Sequence, residues 1–235
     1  MGRSNVAFLL DVDNTLLDND RITSDLRDHL VTMVGRERAD SYWTCFEHIR
    51  VELGYADYLG ALQRYRIEFP RDPHLLTVSH FLLHYPFADR VFPHALEVIR
   101  HLKQWGRVVI VSDGDVVFQP LKIERSGITQ SVDGHVLIYI HKEKEMDDVQ
   151  QRYPADHYVM FDDKLHVLAG MKHCCPRVTT VFVRQGHYAH DQHILDQAPP
   201  ADVSLTSIAD VLDYDITSLM NSEVSLLQSR RSTPQ

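Results

Sequence analysis

The chain has 235 residues, 44% of them apolar, enough to bury a sizeable core in one domain or in a domain with an insertion. Its 24 Lys and Arg against 33 Asp and Glu leave a formal charge of -9. That balance disfavours unspecific attraction to nucleic acid or to an anionic membrane, and any anionic substrate would need a local positive device such as a metal.

The first apolar stretch, Val6 to Leu10, is too short for a signal-peptide core or a bilayer span, and no later run is longer in that sense. Cys45, Cys174 and Cys175 form an odd set without Cys-x-x-Cys spacing. Neither a disulfide framework nor a zinc knuckle is indicated, and a reducing, cytoplasmic setting is expected.

In chain order, a strand is expected at 6–11, ending in the acids of DVDNT. Residues 22–86 then show helical spacing without strand-like alternation: Trp43, Phe46 and Ile49, then Tyr58, Leu62 and Tyr65, then Val78, Phe81, Leu82 and Tyr85. About four helices are predicted there. Their aromatic residues are read first as bundle core, with Tyr42, Trp43, Tyr55 and Tyr58 as candidates for lining a substrate pocket.

From residue 93 the pattern alternates. Helices are predicted at 93–104, 116–126, 144–152 and 164–174, and strands at 108–112, 136–140, 158–161 and 179–183. A short strand at 203–205 and a helix at 207–212 complete the series, and the polar tail from Thr217 is expected to fray. Such alternation predicts an α/β fold, a three-layer Rossmann-like parallel sheet with crossover helices. About 90 residues separate the first two strands where a crossover needs about a dozen, so the helical segment is an insertion. The expected division is a core of 1–18 with 90–215, a helical cap of 19–89 and a tail of 216–235.

Open parallel sheets bind ligands at the carboxyl ends of their strands, and every strand of the central set ends there on polar chemistry. Asp11 and Asp13 close the first, able to point the same way across Val12. The second ends on Ser112, a hydroxyl, followed by Asp113 and Gly114, a turn whose backbone amides could hold an anion at a helix start. The third ends near Lys142, a fixed positive charge for a phosphate oxygen or a carboxylate. Lys144 competes for that role but belongs more readily to the exposed face of the next helix. The fourth ends on Asp162 and Asp163. Four carboxylates at one sheet edge make sense around a hard cation, and magnesium prefers such an oxygen set.

In these motifs the sequence resembles the haloacid dehalogenase-like superfamily of hydrolases. DVDNT at 11–15 matches its Asp-x-Asp-x-Thr motif, Ser112 its second, Lys142 its third and Asp162-Asp163 its fourth, and the long insertion resembles its helical cap. The resemblance implies Asp11 as nucleophile forming an aspartyl-phosphate, and Asp13 as the acid that protonates the leaving alkoxide and then the base that activates water. It also implies Mg2+ on Asp11, the backbone carbonyl of Asp13 and Asp162, with Asp163 either as a further ligand or as an acceptor just behind them. Ser112 and Lys142 would hold phosphoryl oxygens, and Thr15 would fix the loop carrying Asp13.

A phosphatase acting on a small phosphomonoester is therefore expected, with no nucleic-acid or membrane partner. A 2-haloacid dehalogenase would leave Asp13 and the acidic fourth motif without purpose, since attack on carbon with halide leaving needs neither proton donor nor metal. A phosphomutase shares all four motifs, and a non-catalytic binding protein on this fold is the remaining alternative. His187, His190 and His193 in GHYAHDQH are three apart and are read as a solvated loop or helix start rather than a metal site. His173-Cys174-Cys175, before Pro176, is read as buried structure. The signatures of phosphate-binding nucleotide loops, dinucleotide folds, serine hydrolases and zincins are absent.

Overall fold

The computed structural model describes residues 5 to 220. Its elements in chain order are β1 (Val6–Leu10), α1 (Asn19–Val34), α2 (Arg36–Leu53), α3 (Tyr58–Glu68), α4 (Leu75–His84), α5 (Ala95–Leu102), β2 (Arg107–Asp113), α6 (Phe118–Arg125), α7 (Ile128–Ser131), β3 (Val136–Tyr139), α8 (Met146–Arg152), β4 (His157–Asp162), α9 (Leu165–Cys174), β5 (Val178–Val183), α10 (Gln192–Leu195), β6 (Val203–Leu205) and α11 (Ile216–Leu219).

The six strands form one sheet in the order β3-β2-β1-β4-β5-β6, and every pairing is parallel. VAFLL, apolar on both faces and wholly buried, suits the central position that β1 takes between β2 and β4. Alternation along it feeds two cores. Val6, Phe8 and Leu10 join the layer that includes α5, α6 and the inserted helices, whereas Ala7 and Leu9 pack with Val149, Leu168 and Met171 of α8 and α9. The chain is thus a Rossmann-like α/β fold with a helical insertion between β1 and β2.

Helix ends follow local chemistry. Asp18 accepts from the Arg21 amide at 2.9 Å to start α1, and Asp57 accepts from Gly60 at 2.6 Å to start α3. Gly54, in left-handed conformation, ends α2. A Cβ at this glycine would collide with the His141 ring, so its absence lets the α2–α3 loop close against the residue beside Lys142.

Several expected boundaries move for identifiable reasons. The helix expected from Pro93 starts at Ala95 because His94 is left-handed at φ 64. That expected from Val116 starts at Phe118, where the Asp115 carboxylate accepts from the amides of Val117 and Phe118. Lys144 lies not on the next helix but in a 3-10 turn, Lys142–Lys144, and the segment Ile208–Leu212 is likewise a 3-10 turn. Where a fraying tail was expected from Thr217, α11 buries Ile216 and Leu219; the remainder of that tail lies outside the described residues.

The inserted helices pack their aromatic residues inward. Tyr42, Trp43 and Tyr58, expected as pocket candidates, are buried among Phe46, Tyr65 and Phe118, and the Tyr42 hydroxyl donates to the Tyr58 carbonyl at 2.9 Å. Three-residue spacing had marked a helix-bundle interior, and Tyr55 alone of the four is half-exposed. Of His173-Cys174-Cys175, expected to be buried, His173 and Cys174 are exposed and Cys175 is buried, since α9 ends between the two cysteines.

Candidate active site

The carboxyl edge of the sheet collects the motif residues from four strands. Asp11 directly follows β1 and extends its pairing by one bond, its amide donating to the Phe161 carbonyl at 3.0 Å. The chain then folds back on itself: the amides of Leu16 and Leu17 both reach the Val12 carbonyl at 2.9 Å, and Asn14 donates to Leu17 at 2.7 Å. Asn14 is left-handed at φ 60, a conformation asparagine tolerates. Its side-chain oxygen accepts from the amides of Asn19 and Asp20, both at 3.1 Å. One residue therefore fixes the turn after the two acids and starts the insertion. Thr15 is fully buried in this turn, its hydroxyl without a hydrogen-bond partner among the described residues.

Each acid of DVDNT has its own buried lysine. Lys142 lies 1% exposed with its ammonium in direct contact with Asp11 and 2.7 Å from Asp162. Lys144 is exposed, so the turn after β3 presents Lys142 to the site. Asp13 is instead held by Lys122 of α6, at 2.6 Å and 2.8 Å to its two oxygens. Lys122 was missed in the sequence, as was Gln119, which donates to the Ser112 hydroxyl oxygen at 2.8 Å.

The turn after β2 departs from expectation. The Gly114 amide, expected to be free for an anion, donates to the Tyr139 carbonyl at 3.0 Å and so continues the sheet pairing. The Asp113 carboxylate accepts from the Lys142 amide at 2.7 Å and braces the lysine turn. At the start of α6 the Asp115 carboxylate accepts from the Phe118 amide at 2.7 Å. Of the predicted group at 112–114, Ser112 is the member with a side chain suited to a phosphoryl oxygen. A Cβ at Gly114 would lie 2.7 Å from that of Gln119, so this glycine makes room for the Gln119 contact to Ser112.

Asp162 ends β4 and Asp163 follows it, both buried. One carboxylate oxygen from each of Asp11, Asp162 and Asp163 lies within 4.8 Å of the other two. Neither Asp163 oxygen, nor Oδ2 of Asp11, has a hydrogen-bond partner among the described residues. Burial pushes the Asp163 carboxyl well above the usual range, against the attraction of Lys164 and with added repulsion from Asp162 and Asp11. Asp162 and Asp113 are raised as well, chiefly by burial, with Lys142 opposing. For Lys142 burial acts downward, but Asp11, Asp162 and Asp113 outweigh it and raise the ammonium above its ordinary value. Three acids, two of them sharing the Lys142 ammonium, with both Asp163 oxygens and Oδ2 of Asp11 left without hydrogen bonds among the described residues, form an all-oxygen set that fits a hard divalent cation.

Around this centre, Lys164 rests over the Tyr188 ring at 5.1 Å. His187 pairs with Asp20 at 2.6 Å and all three histidines are exposed; GHYAHDQH forms a 3-10 turn and a short helix, with no three-histidine cluster. No helix among the described residues is long and apolar enough to cross a membrane.

A family model described as haloacid dehalogenase-like hydrolase matches residues 6–174. Among solved structures, one from Burkholderia xenovorans LB400 described as a haloacid dehalogenase-like hydrolase is 57% identical, covering 90% of this chain and 99% of that one with a TM-score of 0.87. L-2-haloacid dehalogenase from Xanthobacter autotrophicus with chloropropionic acid covalently bound is 14% identical, covering 87% and 96% with a TM-score of 0.58. YfnB from Bacillus subtilis, bound to magnesium, is 14% identical over 88% and 97%, also at 0.58. The latter two share the fold. Among curated proteins none matches. With its motif residues gathered at one sheet edge and the family model spanning most of its length, the chain belongs to the haloacid dehalogenase-like hydrolases.

Proposed function

We propose that this hydrolase is a magnesium-dependent phosphatase of small phosphomonoesters that works through an aspartyl-phosphate on Asp11. The observation that carries the reading is the buried trio Asp11, Asp162 and Asp163, whose oxygens include three without hydrogen-bond partners. Burying such a set costs stability unless a cation compensates it. Attack on a carbon–halogen bond needs neither a metal nor protonation of the leaving halide.

In this reading an oxygen of Asp11 attacks phosphorus as the ester P–O bond breaks, and the departing alkoxide takes a proton from Asp13. Asp13, now a carboxylate, then removes a proton from water as that water attacks the phosphorus of the acyl phosphate, freeing Asp11 and inorganic phosphate. Ser112 and Lys142 hold the equatorial phosphoryl oxygens. Magnesium, held by Asp11, Asp162, Asp163 and the Asp13 carbonyl, would supply charge neutralisation at the nucleophile and the phosphate. Thr15 keeps the turn that carries Asp13 rigid. The segment 19–89 acts as the cap over a core of 1–18 and 90–215. Three unpaired cysteines fit a reducing compartment such as the cytoplasm.

The test is hydrolysis of p-nitrophenyl phosphate with magnesium and with a chelator, beside halide release from 2-chloropropionate. Magnesium-dependent phosphate release is expected. Halide release that persists in the chelator would replace this reading with that of a dehalogenase.

A further inference from the structure

The phosphatase reading asks Asp13 to deliver a proton to one oxygen and later take one from water, yet the turn around Asp13 does not hold its carboxylate. What holds it comes from a helix more than a hundred residues away. Lys122 is 1% exposed, and its ammonium contacts both Asp13 oxygens, at 2.6 Å and 2.8 Å, and the Asn19 side-chain oxygen at 3.3 Å. The Asp13 side chain itself is 21% exposed. A lysine is among the residues least often buried without a partner, and its desolvation here is offset through that one carboxylate.

Gln119 sits three residues earlier on the same helical face. Its amide donates to Ser112 Oγ at 2.8 Å and approaches Asp13 Oδ2 at 3.5 Å. The helix that carries both side chains is firmly anchored, since Phe118 and Ile123 are buried in the main core and the Asp115 carboxylate caps the first amides. Asn19, the second residue to hold the Lys122 ammonium, opens the helical insertion and donates to the Tyr58 hydroxyl at 3.3 Å. The ammonium is thus clamped between the acid turn, α6 and the root of the insertion.

We propose that Lys122 is a positioning residue: it acts through Asp13, fixing the carboxylate where the leaving-group oxygen of the substrate will lie. This role rests on the phosphatase reading. Loss of aim should matter in proportion to how much the departing group needs a proton, because a positioned acid contributes about 10²–10⁴-fold and contributes least when the leaving group is already stable as an anion. Placement errors of about 1 Å cost rate on a comparable scale.

The experiment compares kcat/KM, which reports the steps up to the aspartyl-phosphate, for two ring-bearing esters of similar size: p-nitrophenyl phosphate, with a good leaving group, and benzyl phosphate, with a poor one. Lys122→Met keeps the length and apolar stem of the side chain, and Lys122→Gln keeps a donor without charge. Folding of each is checked by thermal unfolding. The expected result is a loss on benzyl phosphate exceeding that on p-nitrophenyl phosphate by about tenfold or more, with Lys122→Gln falling between wild type and Lys122→Met. Equal losses on both esters, no loss on either, or failure of both variants to fold would assign Lys122 to the fold alone and overturn the proposal. A wild-type protein inert toward both esters would remove the phosphatase reading, and this role with it, whereas an active wild type with equal variant losses would remove this role only.

Discussion

Asp72 in the helical insertion and Asp163 at the sheet edge are both buried acids, 8% and 1% exposed, and their surroundings treat them in opposite ways. Asp72 takes the Tyr65 hydroxyl at 2.6 Å, the His74 amide at 2.8 Å and the Arg38 guanidinium at 3.0 Å. Burial raises its pKa, but these partners prevail and hold it below the usual carboxylate range. Asp163 has no hydrogen bond to either oxygen among the described residues, and burial carries its pKa well above that range. Charge in the insertion is arranged for stability. At Asp163 the hydrogen bonds that would settle a buried carboxyl are missing, which is the pattern of a site built for a ligand rather than for the fold alone.

The sharpest break of this comparison is Asp11→Asn. It should reduce turnover by about a thousandfold or more, measured as phosphate release, with thermal unfolding showing a folded protein. Retained activity would mean that Asp11 is not the nucleophile.

Asp163→Asn should act in two directions. Without metal it should raise stability, by about 1–3 kcal/mol in denaturant unfolding, because the cost of burying an ionisable carboxyl without hydrogen bonds is removed. The magnesium needed for half-maximal phosphatase activity should meanwhile rise by about 10–100-fold. A destabilised metal-free variant would contradict the contrast with Asp72.

Tyr65→Phe tests the other side. Removing the hydroxyl that donates to Asp72 should cost about 1–2 kcal/mol of stability, read from the same unfolding curves, and leave kcat/KM unchanged.

The smallest effect concerns pH. His157 of β4 is buried, its Nε2 lying 2.9 Å from Thr179 Oγ1 and 3.0 Å from the Leu219 carbonyl, and burial lowers its pKa below the ordinary 6.5 despite the latter bond. As pH falls through 6.5 the unfolded chain takes up a proton that the folded His157 refuses, so the unfolded state binds more protons and stability rises with pH there. This contribution is present above 6.5 and is lost as pH falls toward the lowered folded value. His157→Gln should flatten the dependence of unfolding free energy on pH in that window, and an unchanged slope would assign it to other groups.

The legible parts of the molecule were those written locally. Five apolar residues running into DVD, and YVMF into DD, set both the central strands and the acids at their ends in a few consecutive positions. Lys142 was readable because it follows its strand almost at once. Helical spacing from Trp43 to Tyr85 marked the insertion, but not which rings face a pocket, since that depends on how four helices pack together.

Lys122 left no such trace. In FQPLKIER a lysine reads as the solvated face of a helix, and its partner lies 109 positions away. The Gly114 amide was equally hidden, because only the pairing of β2 with β3 places the Tyr139 carbonyl against it. What sequence cannot carry here is register and long-range pairing, and both alter the site.

The central claim, that Asp11 attacks phosphorus, is tested most directly by trapping the intermediate. Wild-type protein with magnesium would be mixed with radiolabelled p-nitrophenyl phosphate, quenched in acid during turnover, and digested to locate the label. Base-labile phosphate on the peptide containing Asp11, absent from Asp11→Asn and from chelator-treated protein, is the predicted result. Phosphate release without any label on Asp11, or label on another residue, would contradict it.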